Sequence, residues 1–128
     1  MKTYKVTVDD DCTICWYNEK DQIHREDGPA IECANGTKSW LINGKYHREN
    51  GPAREYANGA KYWYIHGKLH REDGPAMEYK NGDKYWYING EELSEEEFIN
   101  RTQKCVELTI QDIENLVGKR VKIVKNKS

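Results

Sequence analysis

The sequence has little of the apolar material from which most domains build a core. It holds one Phe, its mean hydropathy is −1.02, and 33% of its 128 residues are charged. These values exclude a thick aliphatic interior, while four Trp and nine Tyr exclude the composition of a disordered chain. Both observations fit one domain built as a thin sheet that carries aromatic side chains on both faces.

Several targeting and partner classes lack support in the sequence. No apolar run approaches the roughly 20 residues that a membrane span needs, and no apolar leader follows Met1. The net charge of −2 gives no global attraction to nucleic acid or to an anionic membrane. Four cysteines without a secretion signal are typical of a reducing compartment. We therefore expect a cytoplasmic protein that does not bind membranes.

Proline is rare, and its positions reveal the organisation of the chain. All three prolines lie in one phrase that recurs every 23 residues, and a fixed period of this size indicates an array of identical units. The phrase reads His24-Arg25-Glu26-Asp27-Gly28-Pro29-Ala30, His47-Arg48-Glu49-Asn50-Gly51-Pro52-Ala53 and His70-Arg71-Glu72-Asp73-Gly74-Pro75-Ala76. We divide the chain into a degenerate first repeat at 1–23, three regular repeats at 24–90 and a C-terminal cap at 91–128.

The regular repeats contain Asn-Gly dipeptides between alternating apolar positions, which predicts β-hairpins with two-residue type I′ turns. This interpretation pairs Glu55 with Tyr62 across one turn and Tyr64 with Leu69 across the next. Alternation then assigns two faces to the sheet. One face carries Trp40, Trp63, Trp86, Ile42, Ile65, Ile88, Tyr56 and Tyr79, and the other carries Leu41, Tyr62, Tyr64, Tyr85 and Tyr87.

The period stops near residue 91. Ser94 and Glu97 form a capping-box pattern that predicts a helix through Lys104. A short strand at 106–108, a second helix at 109–117 and a final strand at 121–123 complete the predicted cap. The fold class is therefore mainly β with an α+β end: an elongated antiparallel meander of 23-residue hairpin repeats, closed by a small C-terminal helix-strand cap.

The Gly-Pro-Ala strand entries and the Trp-Tyr-Ile-Asn-Gly hairpins resemble MORN-like β-hairpin repeats. The His-Arg-Glu-Asp-Gly-Pro-Ala motif is similar to repeats of small phage-encoded and bacterial proteins. The resemblance covers residues 24–90 and implies a non-enzymatic interaction scaffold. Its narrowest implication is a phage- or mobile-element-encoded inhibitor of a bacterial defence complex, similar to anti-CRISPR proteins, that acts by steric block or by nucleic-acid mimicry.

The repeated phrase is interpreted as a structural joint between hairpins. Metal binding by the histidines is disfavoured because equivalent positions lie at least two strand spacings apart, ~9–10 Å. We expect each histidine to pack on a tryptophan, each arginine to pair with its acidic neighbours, and each glycine to supply a backbone conformation that other residues resist. The joint residues are His24, Arg25, Gly28, Pro29, His47, Arg48, Gly51, Pro52, His70, Arg71, Gly74 and Pro75.

Catalytic and metal chemistry find little support in the sequence. Cys12 and Cys15 form a lone CxxC, and Cys33 occupies a sheet position. Residues three apart on a strand point to opposite faces, which disfavours a zinc site. No nucleophile with a base, phosphate loop or paired carboxylate motif is present. We expect no enzyme activity, no cofactor and no metal.

The remaining features are exposed tyrosines and clustered carboxylates. The predicted partner-binding residues are Tyr62, Tyr64, Tyr85, Tyr87, Glu91, Glu92, Glu95 and Glu96. Glutamates at a helix start also complement the helix dipole, so an acidic binding surface and a purely structural role stay open. An alternative is a nucleic-acid or nucleotide binder that uses stacked Trp and Tyr with a ladder of Arg25, Arg48 and Arg71. A homodimer through a sheet edge or face also stays open.

Overall fold

The structure is a computed structural model that describes residues 4–11, 13–102 and 111. It confirms a mainly β fold: a long antiparallel meander with a small helix towards the C-terminus. The predicted segments at 106–108 and 121–123 lie outside the described residues, as does the predicted second helix except residue 111. The strands are β1 (Lys5–Val8), β2 (Ile14–Tyr17), β3 (Ile31–Glu32), β4 (Lys38–Ser39), β5 (Leu41–Ile42), β6 (Lys45–Tyr46), β7 (Arg54–Glu55), β8 (Lys61–Tyr62), β9 (Tyr64–Ile65), β10 (Lys68–Leu69), β11 (Met77–Glu78), β12 (Lys84–Ile88) and β13 (Glu91–Leu93), and the helix is α1 (Glu95–Thr102).

The first two regular repeats each contribute two strands to the main sheet and two strands to a separate hairpin. Nine strands form the main sheet in the order β1-β2-β3-β4-β7-β8-β11-β12-β13, while β5-β6 and β9-β10 are separate hairpins. Successive hairpins are joined by backbone bonds of 2.8 Å, in which Gly67 donates to the Tyr46 carbonyl and Gly90 donates to the Leu69 carbonyl. The repeats therefore stack as a continuous array.

The register of the main sheet places opposite charges side by side across its strands. Glu55 lies opposite both Lys38 and Lys61, and the alternation extends over six strands. Opposite-charge cross-strand pairs contribute roughly 0.2–1 kcal/mol each, so the alternation favours this register. The charged row contains Glu32, Lys38, Glu55, Lys61, Glu78 and Lys84.

The two kinds of Asn-Gly turn differ, and one of them was predicted wrongly. At Asn43-Gly44, His66-Gly67 and Asn89-Gly90 both residues have positive φ, which confirms the type I′ turn. At Asn58-Gly59 only the glycine has positive φ, +96°, and the Asn58 side chain accepts a hydrogen bond from the Ala60 N–H. This turn is therefore one residue longer, a type I turn that ends in a glycine bulge.

The longer turn moves side chains to the other face. Glu55 pairs with Lys61 and Arg54 pairs with Tyr62, so the predicted pairing of Glu55 with Tyr62 is wrong. A slip of one residue exchanges the two faces of a strand. Tyr56 and Tyr79 consequently contact Tyr62. Their predicted place on the same face as Trp40, Trp63 and Trp86 is therefore also wrong.

The buried interior consists mainly of small side chains. Ala30, Ala53 and Ala76, which end the three repeated phrases, are each 0% exposed. Each enters the main sheet between two strands: the Ala30 carbonyl accepts from Trp16, and the Ala30 N–H donates to the Ser39 carbonyl. Little apolar volume is buried, as the low hydropathy of the chain predicts.

The end of the array is closed by β13 and α1. Leu93 occupies the place where a fourth histidine would fall, is buried, and lies opposite Trp86. The capping box is confirmed: the Glu97 N–H donates to the Ser94 hydroxyl at 3.1 Å. Phe98 is buried, and α1 packs on β12 and β13. Within the described residues, no helix is both long enough and apolar enough to cross a membrane.

Candidate functional site

The joint between repeats is built around an arginine that stacks on a tryptophan. The guanidinium carbon of Arg48 lies 3.8 Å from the ring centroid of Trp40, and that of Arg71 lies 3.9 Å from Trp63. Arg25 stacks in the same way on Trp16 at 3.9 Å. Contacts at this distance combine cation–π attraction with burial of the ring. We define this side of the sheet, with Trp16, Trp40 and Trp63, as the tryptophan face.

The stacked arginines also donate hydrogen bonds inside the protein. Arg71 donates from Nε to Asp73 at 2.8 Å and from Nη1 to the Pro75 carbonyl at 3.0 Å and Glu78 at 3.2 Å. Arg25 donates to Asp27 and to the Pro29 carbonyl, and Arg48 donates to the Pro52 carbonyl and Glu55. Each guanidinium is therefore held over its tryptophan by at least two hydrogen bonds.

Each joint histidine accepts a hydrogen bond from the second turn of its own repeat. Nδ1 of His24, His47 and His70 accepts from a backbone N–H at 2.9, 3.0 and 3.0 Å, donated by Asn43, His66 and Asn89 respectively. Nε2 of each histidine lies 3.5–3.6 Å from a glutamate carboxylate two residues later. The acceptor at Nδ1 requires the Nε2–H tautomer. The histidine orients the turn of the following hairpin.

The joint glycines are needed for space. Gly28, Gly51 and Gly74 do not have positive φ, so the expectation that they supply a special backbone conformation is wrong. A Cβ atom at Gly74 would lie 2.8 Å from the guanidinium carbon of Arg71, and one at Gly51 would lie 3.1 Å from that of Arg48. The missing side chain lets the arginine lie flat between glycine and tryptophan.

Shallow grooves separate successive joints on the tryptophan face. One groove of about 760 Å³ has Trp63 and Ile65 on its floor, and the neighbouring groove of about 710 Å³ has Trp40 and Ile42. Exposed carboxylates such as Glu49, with a side chain 86% exposed, lie along their rims. Two arginines and three carboxylates line each groove, so its charge is close to balanced.

The opposite side of the sheet carries a chain of touching tyrosine rings. Ring centroids of Tyr56 and Tyr62 lie 5.0 Å apart, those of Tyr62 and Tyr79 lie 5.8 Å apart, and those of Tyr79 and Tyr85 lie 5.9 Å apart. The hydroxyls of Tyr62 and Tyr79 share a hydrogen bond of 2.8 Å. We define the tyrosine face by its members Tyr46, Arg54, Tyr56, Tyr62, Tyr64, Tyr79, Tyr85 and Tyr87.

The tyrosines of this face are half-buried hydrogen-bonding groups. Burial raises the pKa of four of the hydroxyls, and the Tyr79 hydrogen bond adds to the effect at Tyr62, so these four groups remain protonated at neutral pH. Tyr85 is the most open, at 39% exposed. The residues with the raised pKa are Tyr56, Tyr62, Tyr64 and Tyr87.

A cleft of about 320 Å³ lies at the C-terminal end of the tyrosine face. Its lining includes Tyr85 and Tyr87 together with the carboxylates of Asp83 and Glu92. Aromatic rings and carboxylates around one cleft are suited to a cationic side chain. The structure thus brings Tyr62, Tyr85, Tyr87 and Glu92 to one side of the sheet.

The other predicted acidic residues do not converge with the tyrosines. Glu91 forms an ion pair with Arg101 at 3.4 Å. Glu95 and Glu96 are exposed in the first turn of α1, where carboxylates complement the helix dipole. The predicted acidic cluster is therefore divided between β13 and the helix.

Arg54 is a member of the tyrosine face that sequence reasoning missed. Its guanidinium carbon lies 4.8 Å from the Tyr46 ring and 4.7 Å from the Tyr56 ring. A signal was present, because the equivalent positions of the neighbouring repeats hold Ile31 and Met77. A charged residue at one apolar position of a repeat is a departure that periodicity alone reveals.

The two cysteines that the structure describes, Cys15 and Cys33, do not belong to a cluster of metal ligands. Cys15 and Cys33 are half-buried free thiols, and burial raises the pKa of Cys15, which lowers its reactivity. Cys12, the other half of the CxxC, lies outside the described residues. Among residues 4–11, 13–102 and 111, no three metal-ligating side chains converge.

Comparisons with known proteins return no relative. No protein-family model, no curated protein and no solved structure matches the chain. Function is therefore inferred from the geometry of the tryptophan face and the tyrosine face.

Proposed function

We propose that the chain is a non-enzymatic protein-binding scaffold whose binding surface is the tyrosine face. The observation that carries this proposal is a continuous, half-exposed row of tyrosines around Arg54, which forms no ion pair with any residue that the structure describes. Tyrosine and arginine are enriched among residues that dominate binding energy at protein interfaces. A tyrosine also presents a large contact area at a low cost in conformational entropy.

The dimensions of the face fit one partner surface. Across the sheet Arg54 lies opposite Tyr62, Tyr62 opposite Met77 and Met77 opposite Tyr85. Three strand spacings amount to about 14 Å. A single protein surface can therefore cover both Arg54 and the cleft beside Tyr85.

The tryptophan face supports a structural role better than a binding role. Its arginines donate to carboxylates and proline carbonyls within the protein, which holds them over the tryptophans. The same geometry weakens the nucleic-acid alternative, since a phosphate would have to displace Asp73 or Glu78 from Arg71. The repeated phrase builds the scaffold, and the tyrosine face recognises the partner.

A narrower version of the proposal names the partner. In this version the chain is a MORN-like, phage- or mobile-element-encoded inhibitor that acts in the cytoplasm on a bacterial defence complex. The support is the resemblance of the repeated phrase. Identification of the partner decides between this version and a general interaction scaffold.

Affinity capture with matched variants tests the proposal. The face variant combines Tyr64→Leu with Tyr85→Ser, because Leu41 and Ser39 occupy these positions in the first regular repeat. The control combines Asp27→Asn with Asp73→Asn on the tryptophan face, because Asn50 occupies that position in the second repeat. Both variants therefore borrow residues that the array already accommodates.

We expect wild type to recover a stoichiometric protein from a bacterial host lysate. With that protein purified, calorimetry should show binding at least about tenfold weaker for the face variant and nearly unchanged for the control. The proposal is wrong if no stoichiometric protein is recovered, or if the control loses as much affinity as the face variant. Salt-dependent binding to labelled oligonucleotides, lost on Arg48→Ala with Arg71→Ala, would favour the nucleic-acid alternative instead.

A further inference from the structure

Arg54 occupies a position where the array does not require a charge. The equivalent residues of the neighbouring repeats are Ile31 and Met77, and all three lie in two-residue strands of the same main sheet. The backbone pairing is also the same, since Arg54 lies between two antiparallel neighbours as Ile31 and Met77 do. The fold therefore explains an apolar side chain at this place and leaves the arginine without a structural reason.

The surroundings of Arg54 hold the guanidinium but do not satisfy it. The rings of Tyr46 and Tyr56 lie on it at 4.8 and 4.7 Å, and Tyr62 lies directly across the sheet. Its Nε is buried and has no hydrogen-bond partner. Among the described residues no carboxylate forms an ion pair with Arg54, and the adjacent Glu55 is paired with Arg48 at 3.4 Å.

A buried donor without a partner is costly, and the cost is larger for a charged group. The residues around Arg54 cannot supply the missing negative charge, because burial raises the pKa of Tyr56 and Tyr62 and keeps both hydroxyls neutral. Among residues 4–11, 13–102 and 111, no group supplies the counter-ion.

The geometry of the unpaired group indicates the class of ligand. Because Nε is buried, the edge open to a ligand is the terminal one, where the two Nη groups each present an N–H, and this edge matches the two oxygens of a carboxylate. The described sheet neighbours directly across from Arg54 are Ser39 and Tyr62, and neither is a cation. A single positive charge balances a carboxylate better than a doubly charged phosphate.

We propose that Arg54, held between Tyr46 and Tyr56, is a binding site for a carboxylate, supplied by an Asp or Glu side chain of the protein partner. The inference rests on the proposed function for the identity of the partner but not for the chemistry of the site. The tyrosine rings lie against the guanidinium, and a less polar surrounding strengthens charged hydrogen bonds. The partner's carboxylate binds the accessible Nη edge and balances the charge, so the arginine contributes to recognition and not to folding.

A titration with sodium acetate tests the site without the partner. The side-chain Nε–Hε resonances of the full chain are followed by ¹⁵N NMR while sodium chloride holds the ionic strength constant. We expect a saturable shift at Arg54. Arg25 and Arg71 are internal controls whose Nε is already bound to Asp27 and Asp73, and their resonances should move little. Arg54→Met, which copies Met77, should remove the shifting resonance and leave the others in place.

Each outcome of the titration has a defined meaning. A saturable shift confined to Arg54 supports the carboxylate site. No saturable shift, an equal shift with chloride alone, or stronger binding of inorganic phosphate than of acetate would overturn it.

Binding of the partner separates this inference from the proposed function. We expect Arg54→Met to weaken binding of the purified partner at least about tenfold. If acetate does not bind but the partner still depends on Tyr64 and Tyr85, the carboxylate site is wrong and the proposed function stands. If acetate binds at Arg54 but no protein partner uses the face, the proposed function fails and the site remains.

Discussion

The two faces of the sheet hold arginine in opposite states. On the tryptophan face, Arg71 stacks on Trp63 and donates hydrogen bonds to Asp73, Glu78 and the Pro75 carbonyl. On the tyrosine face, Arg54 lies between two rings, and its Nε has no hydrogen-bond partner among the described residues. The same side chain is paired with carboxylates in one setting and with none of the described carboxylates in the other. A charge that recurs with the repeat can therefore build the array, and we propose that the charge that breaks the repeat serves recognition.

The largest expected effect compares an aromatic residue from each face. Trp63→Ala removes the ring that supports Arg71 and should lower the free energy of unfolding by about 3 kcal/mol, the low end for truncation of a tryptophan. Tyr85→Ala, on the open tyrosine face, should cost less than about 1 kcal/mol. Urea unfolding at an unchanged m-value measures both. Equal losses would mean that the faces share the structural role.

A smaller effect tests why the joints contain glycine. Gly74→Ala should cost about 1–3 kcal/mol, because its Cβ overpacks the site occupied by the Arg71 guanidinium. The same substitution in an Arg71→Ala background should cost much less, which a double-mutant cycle detects. An unchanged cost in that background would assign the glycine to the backbone and not to the arginine.

The histidine hydrogen bond should contribute less to the free energy of unfolding than the joint glycine does. His47→Phe keeps a ring but removes the Nδ1 acceptor of the His66 N–H, and should cost about 1 kcal/mol. The matched control, His66→Asn, restores the asparagine found at 43 and 89 and should change stability by less than about 0.5 kcal/mol. Thermal unfolding of the two variants is the measurement. A neutral His47→Phe would show that the hydrogen bond between the joint and the turn of the same repeat is dispensable.

The smallest effect concerns the one joint that lacks an aspartate. Asn50→Asp should give Arg48 the ion pair that Arg71 makes with Asp73 and add less than about 0.5 kcal/mol, because such a pair is exposed. The Arg71 hydrogen bond lowers the pKa of Asp73, and we expect the same at residue 50. A carboxyl whose folded pKa is lowered stabilises above its unfolded pKa, and this contribution disappears as pH falls through the folded value.

The pH dependence is the check on this prediction. Stability curves of wild type and Asn50→Asp should differ at neutral pH and merge in acid, below the lowered carboxyl pKa. A difference that persists in acid would have to come from something other than the ion pair.

Much of the fold could be predicted from the sequence because the 23-residue repeat and its local motifs determine it. The 23-residue spacing, the type I′ turns and the Ser94 capping box depend on local sequence, and the structure shows all three. The second turn type could not be predicted, because Asn43-Gly44 and Asn58-Gly59 are the same dipeptide. Their difference depends on a distant residue: the Asn43 N–H donates to His24, 19 positions earlier.

The candidate site was only partly predictable for the same reason. Alternation along the strands predicts one face for Tyr62, Tyr64, Tyr85 and Tyr87. The longer turn, which alternation does not predict, adds Tyr56 and Tyr79 to that face. The stacking of arginine on tryptophan involves residues that the hairpin brings together, and spacing did not indicate it. Arg54 could have been found by comparing the repeats position by position.

The most direct test of the account replaces one arginine on each face with the same residue. Urea unfolding of Arg71→Met should show a clearly lowered midpoint, since it removes the carboxylate and carbonyl bonds of a completed joint. Arg54→Met should show an unchanged or raised midpoint, since it replaces an unsatisfied charge with the residue that the next repeat uses. If Arg54→Met lowers the midpoint as much as Arg71→Met does, Arg54 is part of the scaffold and the division between the two faces is wrong.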